Sequence, residues 1–477
     1  MRSAGPHVLK NVLESNDLST LVVDFIDYLK VDEYFQILSK TVGKNTKAIG
    51  FSVSWLIMDL DDSLVNSIQF EEEEDNVFRH VNEDYLGFAF AKKTIHDILK
   101  KTRRLYPHVK IFAGGPRASL ITEEEYPEID NIFLGYSETM IMDYLTEDRE
   151  FPFVLSYDFK AHADHTNFDF KYSSTTYDDK SFILPNEVLG IQYARGCRFK
   201  CSFCSFPLIG MKNVATYTKD PDVLKDDLLR NYEKWGVTKY TIADETFNDS
   251  TTKLEEFANI VQQLPFQPTF WAFTRADIVV KNPIQIDILD KIGLAETWVG
   301  VETFTRAAGQ AIGKGGDPLA IKEMLYEAKK VWGKKTIIEL GLIVGLPNES
   351  TEDFEENTVK WLLKPDCPVD MARINPLLIV PPFHSDSKNM LFLSDIDRNY
   401  QEYGYSFPHN DPSKKHIWVK DDGTDINSYS DAQDLANDYL YLKQPPLGEN
   451  YPGIFNTTLD YRPFNNYREL MCADAKT

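Results

Sequence analysis

The chain is poor in cysteine, in long apolar runs and in basic residues relative to acidic ones, and each shortage closes off a class of protein. Five cysteines in 477 residues make no disulfide framework. Three of them, Cys197, Cys201 and Cys204, sit too close together for a sensible pairing scheme, so a reducing compartment fits this usage. Lys and Arg number 51 against 74 Asp and Glu, for a formal net charge of −23. Nucleic-acid binding rests on cations that displace counterions, so a broad DNA or RNA surface is disfavoured and only a local basic groove stays open. No apolar run reaches the ~18 residues of a membrane-spanning helix. The segment Met1 to His7 leads into no apolar core of a secretory signal, so a cytoplasmic address is expected. The acidic run over 70–75 reads as a solvated loop.

What is present suits a large globular protein, with 43% hydrophobic and 26% charged residues, enough for two or three domains. Residues 1–150 alternate short apolar runs (Leu21–Ile26, Ile49–Val53, Ile111–Ala113, Ile132–Leu134) with helical periodicity, as in a small α/β domain with a parallel sheet. Ile95, Ile98, Leu99, Thr102 and Tyr106 mark one helix, which Pro107 stops. Met1 to His7 is too short and polar for a leading strand, so the sheet is expected to be one strand short. Residues 151–185 are polar and aperiodic and read as a linker. Over 186–390, strands starting near Leu189, Lys239, Thr269, Thr297, Thr336 and Arg373 alternate with amphipathic helices. The first helix starts after Asp220 as cap and ends at Gly236; another carries Leu254, Phe257, Val261 and Leu264. Six βα units predict a partial (βα)6 TIM-type barrel, whose active site belongs at the carboxyl ends of its strands. Residues 391–477 form a mixed accessory region in which Tyr400, Tyr403, Tyr405, Tyr429, Tyr439, Tyr441, Tyr451 and Tyr461 accumulate, with plain aromatic packing favoured over a ligand role.

The cysteines follow Cys-x3-Cys-x2-Cys, from Cys197 through Cys201 to Cys204. Three thiolates hold three corners of a four-iron cluster and leave the fourth iron open to a ligand, whereas a structural metal site closes all its positions. Zinc would need a fourth ligand, yet no histidine lies between His165 and His384 and the next cysteine is Cys367. A ligand supplied from elsewhere in the fold keeps zinc open as an alternative.

Ala194-Arg195-Gly196-Cys197-Arg198-Phe199-Lys200-Cys201-Ser202-Phe203-Cys204 resembles the cluster loop of the radical S-adenosylmethionine (SAM) superfamily, including the aromatic Phe203 before the last cysteine. The resemblance extends over 186–390 through strand ends that the cysteines do not determine. Asp244 and Glu245 are similar to the acidic strand end that binds the amino group of SAM, against the plainer alternative of solvated carboxylates. Arg275 stands where a guanidinium could hold the methionyl carboxylate, against that of a surface ion pair. Glu302, in Gly300-Val301-Glu302, resembles the residue that approaches the ribose. Gly345-Leu346-Pro347-Asn348-Glu349-Ser350 resembles the turn that supports the adenine pocket, with Ser350 where threonine is usual; either hydroxyl can cap the next helix.

The amino-terminal region resembles the Rossmann-like cobalamin-binding domain that precedes many such barrels. The matching pieces are Arg2 to His7, Gly50 to Ser54, Phe112 to Ala118 and Phe133 to Glu138, with Gly114 and Gly115 placed to let the backbone approach a corrin. The same glycines also suit an ordinary tight turn. No Asp-x-His-x-x-Gly occurs, so the histidine that ligates cobalt from below in mutase-type proteins has no counterpart. The resemblance implies a [4Fe-4S] cluster on Cys197, Cys201 and Cys204, SAM on its open iron, a 5′-deoxyadenosyl radical, and an external electron donor such as a flavodoxin or ferredoxin. With cobalamin, it implies methyl transfer to an unactivated carbon of a small-molecule or peptide substrate. Two other expectations stand beside it: a cobalamin-independent radical SAM isomerase, cyclase, oxidase or lyase with a vestigial first domain, and a non-catalytic iron-sulfur protein.

Overall fold

A computed structural model describes residues 4–24, 26, 29, 31–52, 92–115, 118, 121–156, 169–183, 187–204, 218–379, 393–407 and 418–429. Arg2, Ser3, Ser54, Pro116, Arg117, the acidic run over 70–75 and the tyrosines from Tyr439 onward lie outside these residues.

Four parallel strands in the order β1-β2-β3-β4 make the first sheet: β1 (Ala48–Ser52), β2 (Lys110–Gly114), β3 (Asn131–Leu134) and β4 (Val154–Ser156). Ahead of β1 in the chain lie two helices, α1 (Ala4–Glu14), which buries His7, Val8, Lys10 and Leu13, and α2 (Val31–Thr41). Leu21 to Asp24 is irregular chain and not the expected strand, because buried Asp24 turns to α1, with its Oδ2 2.9 Å from His7 Nε2. The expected helix is α3 (Lys92–Leu105), which packs Ile95 and Leu99 with Ile111, Ala113, Ile132 and Leu134 on one face of the sheet. On the other face α4 (Glu138–Thr146) packs Met140, Ile141 and Tyr144 with Phe133 and Leu13 of α1. Val154–Ser156, placed by sequence in the linker, pairs with β3 as an edge strand too short to show a period.

The second sheet holds six parallel strands in strict chain order, open between its ends: β5 (Val188–Ile191), β6 (Lys239–Ile242), β7 (Thr269–Arg275), β8 (Leu294–Glu302), β9 (Ile337–Val344) and β10 (Met371–Pro376). Alternate residues, among them Leu189, Tyr240, Phe270, Val299, Leu340 and Ile374, enter one core with the helices outside, so the intervening residues line the lumen. Helix α5 (Pro221–Trp235) starts where Asp220 accepts from the Asp222 N–H and ends at Gly236, φ +69°. Ser250 caps α6 (Thr251–Gln262). These short, capped helices return each strand to the same side, and all strand carboxyl ends share one rim.

Beyond the barrel, β11 (Tyr405–Ser406) and β12 (Val419–Lys420) form an antiparallel pair. Tyr405, Trp418 and Tyr429 are fully buried in the barrel core, so for these residues the accessory region packs as the aromatic reading expected.

Candidate cluster and cofactor site

The cysteine loop leaves β5 at the carboxyl rim. Gly196 has φ +85°, a conformation costly for any residue with a Cβ, and it turns the chain so that Cys197, Cys201 and Cys204 follow on one loop. The loop is tied on both sides: Ser202 N–H donates to Ile312 O at 3.1 Å, and Ile396 N–H donates to Ser202 O at 2.9 Å. Burial pushes the Cys197 thiol up, while its Sγ lies 3.6 Å from Thr246 Oγ1. Arg275 Nη1 donates to Cys201 Sγ at 3.0 Å, a charge-assisted bond suited to a thiolate. Among the described residues no group of three His, Cys, Asp or Glu side chains gathers about a single-ion position. A four-iron cluster takes one thiolate per occupied iron rather than several about one ion. The donor set and the supported loop therefore fit such a cluster.

The remaining strand-end residues fall into distinct roles. Asp244 is buried and its carboxylate is occupied: Oδ1 accepts from the N–H groups of Tyr193 and Ala194, both at 2.8 Å, and Lys253 Nζ reaches Oδ2 at 3.3 Å. It braces the entry to the cysteine loop instead of facing an open site. Glu245 is different. Its Oε1 accepts from Tyr136 O–H at 3.2 Å, its buried Oε2 has no hydrogen-bond partner among the described residues, and burial pushes its carboxyl up to about 7. Arg275 directs Nε and Nη2 to Asp277, each at 3.0 Å, and lies over Phe199 at 3.9 Å, so only part of its fork could meet a ligand.

Glu302 ends β8 at φ +68°, a left-handed conformation rare outside glycine and costing of order 1–3 kcal/mol. Its Oε1 accepts from Lys314 Nζ at 2.5 Å, and Lys314 also donates to Gly300 O at 2.8 Å. Gly345 has φ +81°, and a Cβ there would come within 2.3 Å of the Trp418 ring. Ser350 caps the following helix in a reciprocal box with Asp353. Phe203 is half-buried and packs toward the barrel core. Gly115 has φ +127°, whereas a Cβ on Gly114 would meet Phe133 only at ordinary contact, 3.5 Å.

Several residues that position this rim carry no motif. Arg195 pairs with Glu138 at the start of α4, lies over Tyr136 at 4.2 Å and over Phe170 at 4.5 Å, and donates from Nε to Gln192 at 3.0 Å. Buried Lys420 donates to Leu346 O (2.8 Å), Glu349 O (2.6 Å) and Tyr429 Oη (2.9 Å). Glu349 Oε1 accepts from Thr303 at 2.6 Å, while its Oε2 is a second buried acceptor with no partner among the described residues. Sequence offered one signal: Tyr136, Glu138 and Arg195 fell inside segments picked out for other reasons.

Residues 191–358 match the family model for the radical SAM superfamily. The chain carries a radical SAM enzyme domain. That domain brings an iron-sulfur cluster and SAM as its family's cofactors. Across more of the chain, the sequence is 22% identical over 334 residues to an uncharacterized methyltransferase of Pyrococcus horikoshii, covering 65% of this chain and 70% of that one. It is 28% identical over 189 residues to the anaerobic magnesium-protoporphyrin IX monomethyl ester cyclase of Cereibacter sphaeroides, covering 38% of this chain and 30% of the cyclase. In fold, it is similar to the radical SAM methyltransferase TsrM of Kitasatospora setae (TM-score 0.61, 12% identity, 98% of this chain and 95% of TsrM). It is also similar to the cobalamin-dependent SAM radical enzyme OxsB (TM-score 0.55, 14% identity, 97% of this chain and 59% of OxsB). The radical SAM domain thus sits behind an α/β domain in the arrangement those two folds share. No helix among the described residues is long and apolar enough to cross a membrane.

Proposed function

We propose that this protein is a cobalamin-dependent radical SAM methyltransferase acting on an unactivated carbon. The observation that carries the cobalamin part is the way the two sheets meet. Tyr136, just past β3, bonds Glu245, just past β6, and Glu138 pairs with Arg195, just past β5. Ligands of open α/β sheets bind at the carboxyl ends of the strands. Here the ligand edge of the first sheet is turned onto the ligand rim of the barrel, as two cofactors acting on one substrate require. The TsrM and OxsB folds and the Pyrococcus relative's description support the same reading.

Cys197, Cys201 and Cys204 would hold the cluster. Glu245, Arg275, Glu302 and the Gly345-Leu346-Pro347 turn would contact SAM, with Phe203 beside it and Asp244 bracing the loop. Gly114 and Gly115 would approach the corrin. When bound, the reduced cluster and SAM supply a carbon-centred radical, and cobalamin supplies a transferable methyl group. The chain's own work is positional. Arg275 steadies Cys201, Lys314 holds Glu302 at its strained strand end, and the buried carboxylates of Glu245 and Glu349 present acceptors away from water. A one-electron donor such as a flavodoxin or ferredoxin, and a reducing cytoplasmic setting, belong to the same proposal.

Anaerobic protein made with supplied iron and cobalamin should retain iron, sulfide and cobalt and, once reduced, release 5′-deoxyadenosine from SAM. Retained iron and sulfide with no retained cobalt would favour a cobalamin-independent reaction. No 5′-deoxyadenosine would leave a non-catalytic iron-sulfur protein. Substituting any one of the three cysteines by Ser should abolish 5′-deoxyadenosine release and lower bound iron.

A further inference from the structure

The lumen of the barrel has a wall that the cluster and SAM do not account for. Strand pairing sets its layers: Phe273 lies beside Trp298 and Trp298 beside Glu339, while one layer nearer the carboxyl rim Gly341 lies beside Arg373. Phe273 and Trp298 stand with ring centroids 5.9 Å apart. At Gly341 a Cβ would come within 2.1 Å of Trp298 Nε1, so the indole closes its Nε1 edge against the β9 backbone where only a glycine leaves room. Phe273 is 37% exposed, unusual for a phenylalanine in the middle of a buried strand.

On the next strand the Arg373 guanidinium lies 5.2 Å from the Trp298 ring and its Nε donates to Glu339 Oε1 at 2.5 Å. The Glu339 side chain is 1% exposed and that of Arg373 is 55% exposed. The pair therefore hides its carboxylate and leaves its cation exposed on the lumen side of β10. Asn375, two residues on and on the same side of β10, is also exposed.

We propose that this wall is the substrate subsite and that it selects a flat aromatic ring carrying an anionic group, the ring against Phe273 and Trp298 and the anion on Arg373. The inference rests on the enzymatic reading above, because it places the substrate in the same lumen. Aromatic rings paired edge to face or offset attract one another beyond what their burial alone supplies. A guanidinium matches a carboxylate in a bidentate fork. A positively charged substrate would lose the contact with Arg373, and a purely aliphatic one the contact with the rings.

The test uses full-length, anaerobically reconstituted protein and three probes by equilibrium dialysis: naphthalene-2-carboxylate, naphthalene-2-methanol and cyclohexanecarboxylate. The first should bind about 10-fold more tightly than either of the others, one factor for each missing feature. Phe273→Leu should weaken both naphthalene probes, and Phe273→Tyr should restore them. Arg373→Gln should weaken the two carboxylate probes, naphthalene-2-carboxylate by about 10-fold, and leave naphthalene-2-methanol unchanged. If Arg373→Gln fails to fold because Glu339 is left buried and unpaired, the double variant Arg373→Gln/Glu339→Gln carries the same expectation without that charge. Equal affinity for the three probes, no binding of any, or no change in the variants overturns the proposal. Release of 5′-deoxyadenosine by the reduced wild-type protein, measured alongside, separates the two readings: its absence strikes the enzymatic proposal, and its presence without selective binding strikes this inference alone.

Discussion

Among the described residues, Glu245 and Glu349 on the rim each have one buried carboxyl oxygen with no hydrogen-bond partner. Glu349 is the more informative for stability, as it touches no cluster residue. Burial pushes its carboxyl up to about 7, so the folded protein holds a proton that the unfolded chain releases near the ordinary value of about 4.5. The folded form is favoured below the lower value, and that advantage is lost as pH rises through the higher one. Wild-type melting temperature should therefore fall between pH 5 and pH 7.5 by more than that of Glu349→Gln, followed by circular dichroism. Equal slopes would show that Glu349 finds a partner in solution. For Arg275→Lys a different loss is expected. A lysine cannot bond Cys201 and fork onto Asp277 at once, so the variant should retain less iron after gel filtration than wild type.

At the scale of elements, the accessory pair β11 and β12 acts as a clasp on the loop after β9. Lys420 holds Leu346 and Glu349 by their carbonyls, Tyr405 O–H donates to Gly345 O at 2.7 Å, and Trp418 fills the space a side chain at 345 would need. Lys420→Met should raise the KM for SAM several-fold while changing kcat less, with Lys420→Arg partly restoring it. Gly345→Ala should destabilise by about 1–3 kcal/mol through its left-handed backbone, before any clash with Trp418 is counted. The clasp could not be read in advance. Its contacts join residues 60 to 80 positions apart through backbone carbonyls, which any sequence supplies. The barrel strands were legible for the opposite reason. Buried parallel strands with capped helices between them write their own period, and Asp220, Gly236 and Ser350 stand where caps were expected. The strand expected at Leu21 failed because an apolar run says only that a segment is buried; the pairing of Asp24 with His7 decided its conformation.

Across the whole molecule, the site residues divide by how their partners are reached. The three cysteines were legible because their spacing alone limits what they can hold. Asp244 was visible as a carboxylate at a strand end, but its occupation by Tyr193, Ala194 and Lys253 depends on the folded rim. The junction of the two sheets was invisible, since Tyr136 and Glu245 lie 109 residues apart. Tyr136→Phe should strip Glu245 of its described hydrogen-bond donor, and hydrogen exchange in the segment from β3 into α4 should quicken. Unchanged exchange would mean that Arg195 with Glu138 suffices to hold the junction.

Arg195 stands two residues before the first cysteine and grips the other domain. Whatever fixes the cysteine loop therefore also fixes the joint, and by thermodynamic linkage the dependence runs both ways. Filling the metal site would tighten the seam between the halves of the molecule, and a loosened seam would let iron escape. Assembly order follows: a chain whose first domain has not docked should load its metal poorly. The loop that binds metal and the joint that holds the molecule together would then be completed in one step.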